Sequence, residues 1–235
     1  MSFYTNILHY YDQLFPLDEK KLDFVLETDE PQKILDIGCA TGALCHELYH
    51  KGHQVVGIDI DKAIIEKAKG KAPEGPQFQA LDMLSINKHF EPGYFDQILC
   101  FDNTLAHLPN ELAVRQFFKA MSAILALDGK FKCEVVNYDQ AMEKGMLHLP
   151  PIEVDGMVLK RHQTMEQQYM ECYTELNIEG DEDVHQNCIP LFPIRYNQIE
   201  ELLREVGFTH FNLYCDYEKC TLSGDHYYNI VEAWR

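Results

Sequence analysis

The chain has 235 residues, 46% of them hydrophobic and 25% charged, which suits one domain with an elaboration around a sizeable core. Its 38 acidic residues against 20 basic ones give a net charge of −18, which repels phosphate backbones. That disfavours a nucleic-acid partner and favours a small molecule, an amine among the options, although acidity also serves plain solubility.

The start, MSFYTNILHYYDQLFP, has no basic stretch and no apolar run long enough for a signal peptide. No later segment reads as a membrane span, and a cytoplasmic location is the expectation. The eight cysteines show no C-x-x-C pair and the 11 histidines no paired ligand spacing. Mostly reduced thiols, no disulfide framework and no metal are therefore expected.

In chain order, Phe3–Glu27 is predicted helical, so that residues 1–30 make a lid across a ligand. Lys33–Ile37 reads as a strand, and Gly42–His50 as a helix closed by Gly52. Gln54–Ile60 is a second strand and Lys62–Lys69 a helix, followed by a short third strand over Phe78–Leu81. Phe95–Phe101 is the fourth strand. A long amphipathic helix over Asn110–Ala126 ends at Gly129, and Lys130–Val136 is the fifth strand. Such alternation over residues 33–139 implies parallel strands with helices on both faces, and ligands beyond the carboxyl ends of the strands.

From Met146 to Cys188 the pattern changes. Val158–Ile178 alternates polar and apolar residues and is rich in Tyr and Thr, so residues 140–189 are read as an inserted cap of two or three antiparallel strands. Pro190 and Pro193 mark re-entry. Ile199, Leu202, Leu203 and Val206 follow helical spacing up to Gly207, and His210–Tyr217 pairs with Tyr227–Trp234 to close residues 190–235. The fold class is α/β: a Rossmann-like doubly wound sheet, mostly parallel, with an antiparallel C-terminal hairpin and a small antiparallel β cap.

The most informative stretch is ILDIGCATGALCHEL, Ile34 to Leu48. Gly38 and Gly42 permit backbone conformations closed to other residues; Cys39 and Ala40 lie between them, and Ala40 adds almost no bulk. A ligand can lie against main-chain N–H groups there, and Asp36 is placed to meet a cationic ligand head. A dinucleotide G-x-G-x-x-G would fall on Gly38, Ala40 and Ala43, where two of three positions are alanine. The spacing D-x-G-x-A-x-G instead resembles the first motif of class I S-adenosylmethionine-dependent methyltransferases.

VVGIDID ends the second strand on Asp59, with Ile60 beside it, where a carboxylate can accept both ribose hydroxyls of an adenosine. Both nucleotide readings use such an acid, and a helix cap by Asp59 or Asp61 is the plain alternative. Asp82 follows the third strand in ALDML; the resemblance implies contact with the adenine amino group, with Met83 packed nearby, against an ordinary loop aspartate.

The fourth strand and its exit read FDQILCFDNTLAHLPN. With Asn103, Thr104, Ala106, His107 and Leu108, and with Asn137, Tyr138 and Asp139 in VVNYD, this resembles glycine and sarcosine N-methyltransferases. The resemblance implies that Phe101 touches the methyl donor through its backbone. It places Asn103 and Asn137 toward the substrate and His107 near the donor, with Asn103, His107 and Tyr138 as the catalytic candidates. Asp102 departs from the glycine usual in that family, which puts glycine itself in doubt as substrate and offers a carboxylate to a substrate amine. The YYDxLF lead-in resembles that of many small-molecule methyltransferases, by which Tyr10 and Tyr11 cover the donor; plain helix packing is the alternative. For an amino-acid substrate, Arg161 or Arg195 would fork onto the carboxylate, while Arg195 paired with Glu200 or Glu201 is the competing reading.

Methyl transfer from S-adenosylmethionine to a small acceptor, at an amine nitrogen, is the function so implied. The rivals are O-methylation, an NAD(P)-dependent oxidoreductase, and a binding module without catalysis.

Overall fold

Period-two alternation along the strands sends apolar side chains to both faces of one sheet, and helices cover each face. The computed structural model describes residues 7–72, 74–181, 183–222 and 226–235. The larger sheet is built from β1 (Lys33–Ile37), β2 (Gln54–Asp59), β3 (Gln77–Ala80), β4 (Phe95–Cys100), β5 (Leu125–Val136), β10 (His210–Tyr214) and β11 (Tyr228–Trp234). Their spatial order is β3-β2-β1-β4-β5-β11-β10. Pairs among the first five strands are parallel, and β11 runs antiparallel to both β5 and β10. The order reverses between β1 and β4, which opens a crevice above their carboxyl ends.

Leu35, Ile37, Ile98 and Phe131 face α5 (Glu111–Ile124) and α7 (Tyr196–Glu205), where they meet Phe117, Phe118 and Leu203. Ile34, Val55 and Leu99 face the other layer, which contains α2 (Glu19–Val25), α3 (Ala43–His50) and α4 (Lys62–Lys71).

A second, four-stranded antiparallel sheet follows α6 (Tyr138–Lys144): β6 (Met146–Val154), β7 (Met157–Glu166), β8 (Tyr169–Ile178) and β9 (His185–Leu191). Asp155 and Gly156 both take positive φ (46° and 76°), as a two-residue hairpin turn requires. Leu147, Leu149 and Met170 on this sheet seat against Ala106 and Tyr138 at the strand exits. Met157, Leu159 and Leu176 seat against Ile7 and Leu14, so the N-terminal segment bridges the two sheets.

Several elements differ from expectation. Residues 3–6 of the expected N-terminal helix, and residues 1–6 of the expected lid, lie outside the described residues. The rest is two helices, α1 (Tyr11–Leu14) and α2, broken at Pro16, whose missing N–H and ring exclude a continuous helix. Helix α5 stops at Ile124 rather than Ala126, and β5 begins at Leu125 rather than Lys130. The guanidinium of Arg235 donates to the carbonyls of Ser122, Leu125 and Ala126, satisfying the carbonyls that a helix end leaves bare. A register irregularity opposite Phe95–Gln97 absorbs the extra residues around Gly129. The cap has four strands rather than two or three. Cys215 and Cys220 form a disulfide, an exception to the expected reduced thiols. No helix among the described residues is long and apolar enough to cross a membrane.

Candidate active site

Strand β1 delivers its chain into a turn sewn to β2: Gly38 N and Cys39 N both donate to Ile58 O, at 2.8 and 3.0 Å. Gly38 sits at φ +73°, and a Cβ there would lie 2.4 Å from Thr104 Oγ1, so the loop and the β4 exit share space only a glycine leaves. Gly42, at φ +78°, opens α3. Asp36 is only 5% exposed, beneath the turn, and accepts from the Cys45 thiol at 3.3 Å. Burial, with the Asp102 charge behind it, pushes the Asp36 pKa up to about 6 against the opposing Cys45 bond and Lys21 charge.

Asp61 caps α4 through Ala63 N and Ile64 N, which leaves Asp59 for another role. One Asp59 oxygen accepts from Asp61 N at 2.9 Å and the other from Ala40 N at 3.3 Å, and burial raises its pKa. Ile60 beside it is 76% exposed, a bare aliphatic surface next to a carboxylate at a strand end. Asp82 leaves β3 alongside and caps its own turn through Leu84 N; Met83 is partly buried against the core. Glycines that a Cβ would overfill, an acid at the β2 end and an exposed apolar neighbour fit an adenosine-bearing ligand in this crevice.

At the β4 exit, Asp102 and Asn103 both take left-handed φ (53° and 60°), an arrangement rare for two successive non-glycine residues. Asn103 ties the two exits together: its Oδ1 accepts from Val136 N at 3.1 Å and its Nδ2 donates to the Tyr138 hydroxyl at 2.8 Å. Tyr138 itself is fully buried under the cap. The carbonyl of Phe101 accepts from Thr104 N inside the turn, and its ring lies against Phe24 and Tyr217. His107 is exposed, while the protein around it lowers its pKa. Asn137 caps α6 and donates to His226 O. Arg195 pairs with Asp139 at 3.9 Å, not with Glu200, which Arg204 takes. Arg161 stands on the cap with its guanidinium 5.8 Å from the Phe15 ring centre.

The N-terminal segment closes the crevice from the other side. Asp12 accepts from the hydroxyl of Thr41 in the glycine turn and pairs with Lys71 at 2.8 Å and Lys67 at 3.3 Å; Lys67 also donates to Leu8 O at 2.5 Å. Tyr11 is adjacent, with its ring 5.0 Å from that of Phe15.

Sequence reading missed the charged floor of the site. Lys21 on α2 reaches Asp102 at 2.6 Å; burial opposes its charge, but Asp102 and Glu134 outweigh it and raise its pKa. Tyr217 donates its hydroxyl to Glu134, and burial with the nearby Asp102 charge pushes the Glu134 pKa up to about 7. A signal was present: KFKCEVV puts Lys132 and Glu134 on one face of a strand predicted to be central, where charge is out of place. Lys132 is anchored by Phe24 O and Glu27.

These two raised acids have a pH signature. Glu134 moves from 4.5 to about 7 and Asp36 from 3.8 to about 6 on folding, so the unfolded chain releases both protons first. Rising pH therefore favours the unfolded state through that window, and stability falls until both are ionised above about 7. Urea unfolding at about pH 5 and about pH 8 should show Glu134→Gln with a less negative change in stability than the wild type, in which His46, His53 and His107, whose pKa values burial lowers, contribute an opposing rise. An unchanged pH dependence in Glu134→Gln would mean that Glu134 does not ionise in the window.

Two open surface grooves, of about 470 and 590 Å³, lie elsewhere, the first beside Arg204 and Trp234 and the second beside Leu22 and His46. Neither touches the strand exits. Residues 34–129 match the family described as a methyltransferase domain. A glycine/sarcosine N-methyltransferase of Parasynechococcus marenigrum (strain WH8102) is 24% identical over 226 residues, 88% of this chain and 74% of that protein. Among solved structures, an S-adenosylmethionine-dependent methyltransferase from Clostridium acetobutylicum superposes with a TM-score of 0.81 at 18% identity, covering 99% of each chain. S-adenosylmethionine-bound CalS10, an amino pentose methyltransferase from Micromonospora echinaspora, superposes with a TM-score of 0.66 at 17% identity, covering 99% of this chain and 92% of its own.

Proposed function

We propose that this chain is a class I S-adenosylmethionine-dependent methyltransferase that methylates an amine nitrogen of a small molecule by direct in-line transfer, a reading supported by the methyltransferase-domain match over residues 34–129 and by the relatives named above. One observation carries the choice of acceptor: the site already holds an ammonium, that of Lys21, facing the carboxylates of Asp102, Asp36 and Glu134. An acceptor amine suits the same acidic wall. The relatives named as glycine/sarcosine N-methyltransferases support nitrogen as the target.

When bound, S-adenosylmethionine supplies a methyl group already made electrophilic by its sulfonium. The chain's own task is to place and desolvate. Asp59 accepts from the ribose hydroxyls, Ile60 and Met83 cover the adenine, and Asp82 meets its amino group. The backbone from Gly38 through Gly42 and the Phe101 carbonyl cradle the amino-acid end. Residues 1–30 act as the lid, with Tyr11 over the donor and Asp12 latched to Thr41. The four-stranded sheet over 140–189 is the cap. Asn103, held by Val136 and Tyr138, sets the distance between the two strand exits at which the acceptor sits. An alkylammonium must lose a proton before it attacks, and Glu134 and the neutral ring of His107 are the groups able to take it. Positioning of this kind supplies on the order of 7–11 kcal/mol of barrier reduction.

O-methylation is the second reading, favoured by the neutral His107, which is a competent base toward a hydroxyl. Incubation with S-adenosylmethionine and paired amine and hydroxyl analogues, read by mass spectrometry for the gain of one methyl, separates the two. Products from the amines alone are expected; products from the hydroxyl analogues alone would sink the nitrogen reading.

A further inference from the structure

The acceptor must carry more than its nucleophile, because a patch on the cap carries buried polar atoms with no hydrogen-bond partner among the described residues. Four of the five arginines are engaged. Arg115 pairs with Glu111 and Glu205, Arg195 with Asp139 and Arg204 with Glu200, and Arg235 donates to backbone carbonyls. Arg161 pairs with no acid among the described residues, in a chain that has 38 of them. Its Nε is buried without a hydrogen-bond partner.

Register extends that vacancy across the sheet. Arg161 on β7 lies opposite Thr174 on β8, and Thr174 lies opposite Asn187 on β9. Gln163 is two residues along β7 and therefore on the same face. Thr174 Oγ1, Asn187 Nδ2 and Gln163 Oε1 are also buried and unbonded, and Gln163 and Thr174 are only 2% and 8% exposed. Of the five such side-chain atoms among the described residues, four belong to this row; the fifth is on Gln97. Native interiors bond nearly all their buried polar atoms, so four orphans in one row point to an absent partner.

The row faces the site. Along the same strands, Leu159 and Leu176 touch the N-terminal segment, while Met170 touches the cluster with Ala106 and Tyr138 at the strand exits. Burial raises the Tyr228 pKa, Glu134 and Asp102 reinforce the rise, and Arg161 and Lys21 oppose it.

Resting on the amine-methyltransferase reading above, we propose that Arg161, Thr174, Asn187 and Gln163 form a second acceptor subsite that binds a carboxylate. A guanidinium offers a planar fork that matches carboxylate geometry. The Asn187 amide and the Thr174 hydroxyl supply further donors, and the Gln163 oxygen accepts from a neighbouring N–H or O–H on the acceptor. The acceptor is then bipolar: its amine lies at the Asp102 and Glu134 end and its carboxylate at the cap.

The full chain saturated with S-adenosylhomocysteine, titrated calorimetrically, tests this. The probes are the common α-amino acids, sarcosine and β-alanine, each against its decarboxylated amine, with phosphoethanolamine as a different anion. At least one carboxylate-bearing probe should bind tighter than its decarboxylated partner by about tenfold or more, the scale of a charge-assisted fork. Arg161→Gln should erase that ratio, and Thr174→Val, which leaves the stack on Phe15 alone, should reduce it several-fold. Affinity for S-adenosylhomocysteine should not change in either variant. Equal binding within pairs, a ratio that survives Arg161→Gln, binding of phosphoethanolamine alone, or no probe bound by the loaded protein would each overturn the subsite. Failure to bind S-adenosylhomocysteine would sink the cofactor reading first and this one with it, so the two failures are distinguishable.

Discussion

Gly42→Val is expected to abolish cofactor binding and to lower the melting temperature by roughly 4–20 °C. Two penalties combine. Gly42 sits at φ +78°, where an L side chain costs about 1–2 kcal/mol. A Cβ there would lie 2.4 Å from the ring of Phe78, a buried side chain in close contact with α3 and β2, and overpacking of this kind costs about 1–3 kcal/mol more. The combined figure of about 2–5 kcal/mol is a large share of the stability of an ordinary domain. Gly70→Ala is the control: it lies near the end of α4, its Cβ would meet nothing within 4 Å, and it should stabilise by up to about 1 kcal/mol. Thermal melts of both variants and calorimetry with S-adenosylhomocysteine decide the matter. Equal melting temperatures for the two would show that the loop is not held as tightly as its contacts with Phe78 require.

Asp59→Ala is expected to weaken S-adenosylhomocysteine binding by about a hundredfold or more while leaving the unliganded fold at least as stable. The ribose reading asks this carboxylate for two hydrogen bonds to ligand hydroxyls, each worth about 1.5–3 kcal/mol when one partner is charged. In the unliganded chain the same group is disfavoured by burial, which outweighs the backbone contacts with Asp61, Ala40 and Ile60, so its removal relieves a cost. Loss of affinity without loss of stability is the signature of a residue kept for its ligand. Affinity within about threefold of wild type would remove Asp59 from the cofactor site, since even one such bond exceeds that factor.

The parallel half of the fold was legible because its strands are short apolar runs bounded by Gly, Asp and Pro. The glycine turn and the acids at strand ends are local patterns of a few residues. The cap was recognisable only by its change of texture. Its outer strands β6 and β9 contain Pro150, Pro151 and Pro190, and they are the two edges of the sheet, where alternation is weakest. The break at Pro16 was legible in principle, because proline cannot continue a helix through its own position. Lys21, Glu134 and Tyr217 were not found, because their partners are remote in sequence: Lys21 meets Asp102 across 81 positions and Tyr217 meets Glu134 across 83. No short-range spacing encodes such pairs. The row of orphaned groups on the cap is similar; Arg161 was a candidate carboxylate fork, but Thr174 and Asn187 became its neighbours only through strand register.

The place of β11 governs how this molecule can be made. It lies between β5 and β10 and pairs along β5 from Val136 opposite Tyr228 to Lys130 opposite Trp234. A nascent chain that has emerged through α7 already has every helix of both layers, yet one whole edge of β5 is open and β10 has nothing to join. Strand edges of this kind are templates for pairing with other chains. Closure waits for residues 228–234, and with them the Arg235 clasp on the end of α5. Long loops must be closed before any of these contacts form, which makes this pairing slower than the local ones that precede it. A chain whose β5 is paired only with β4 is therefore more open to aggregation and to chaperones than the closed sheet.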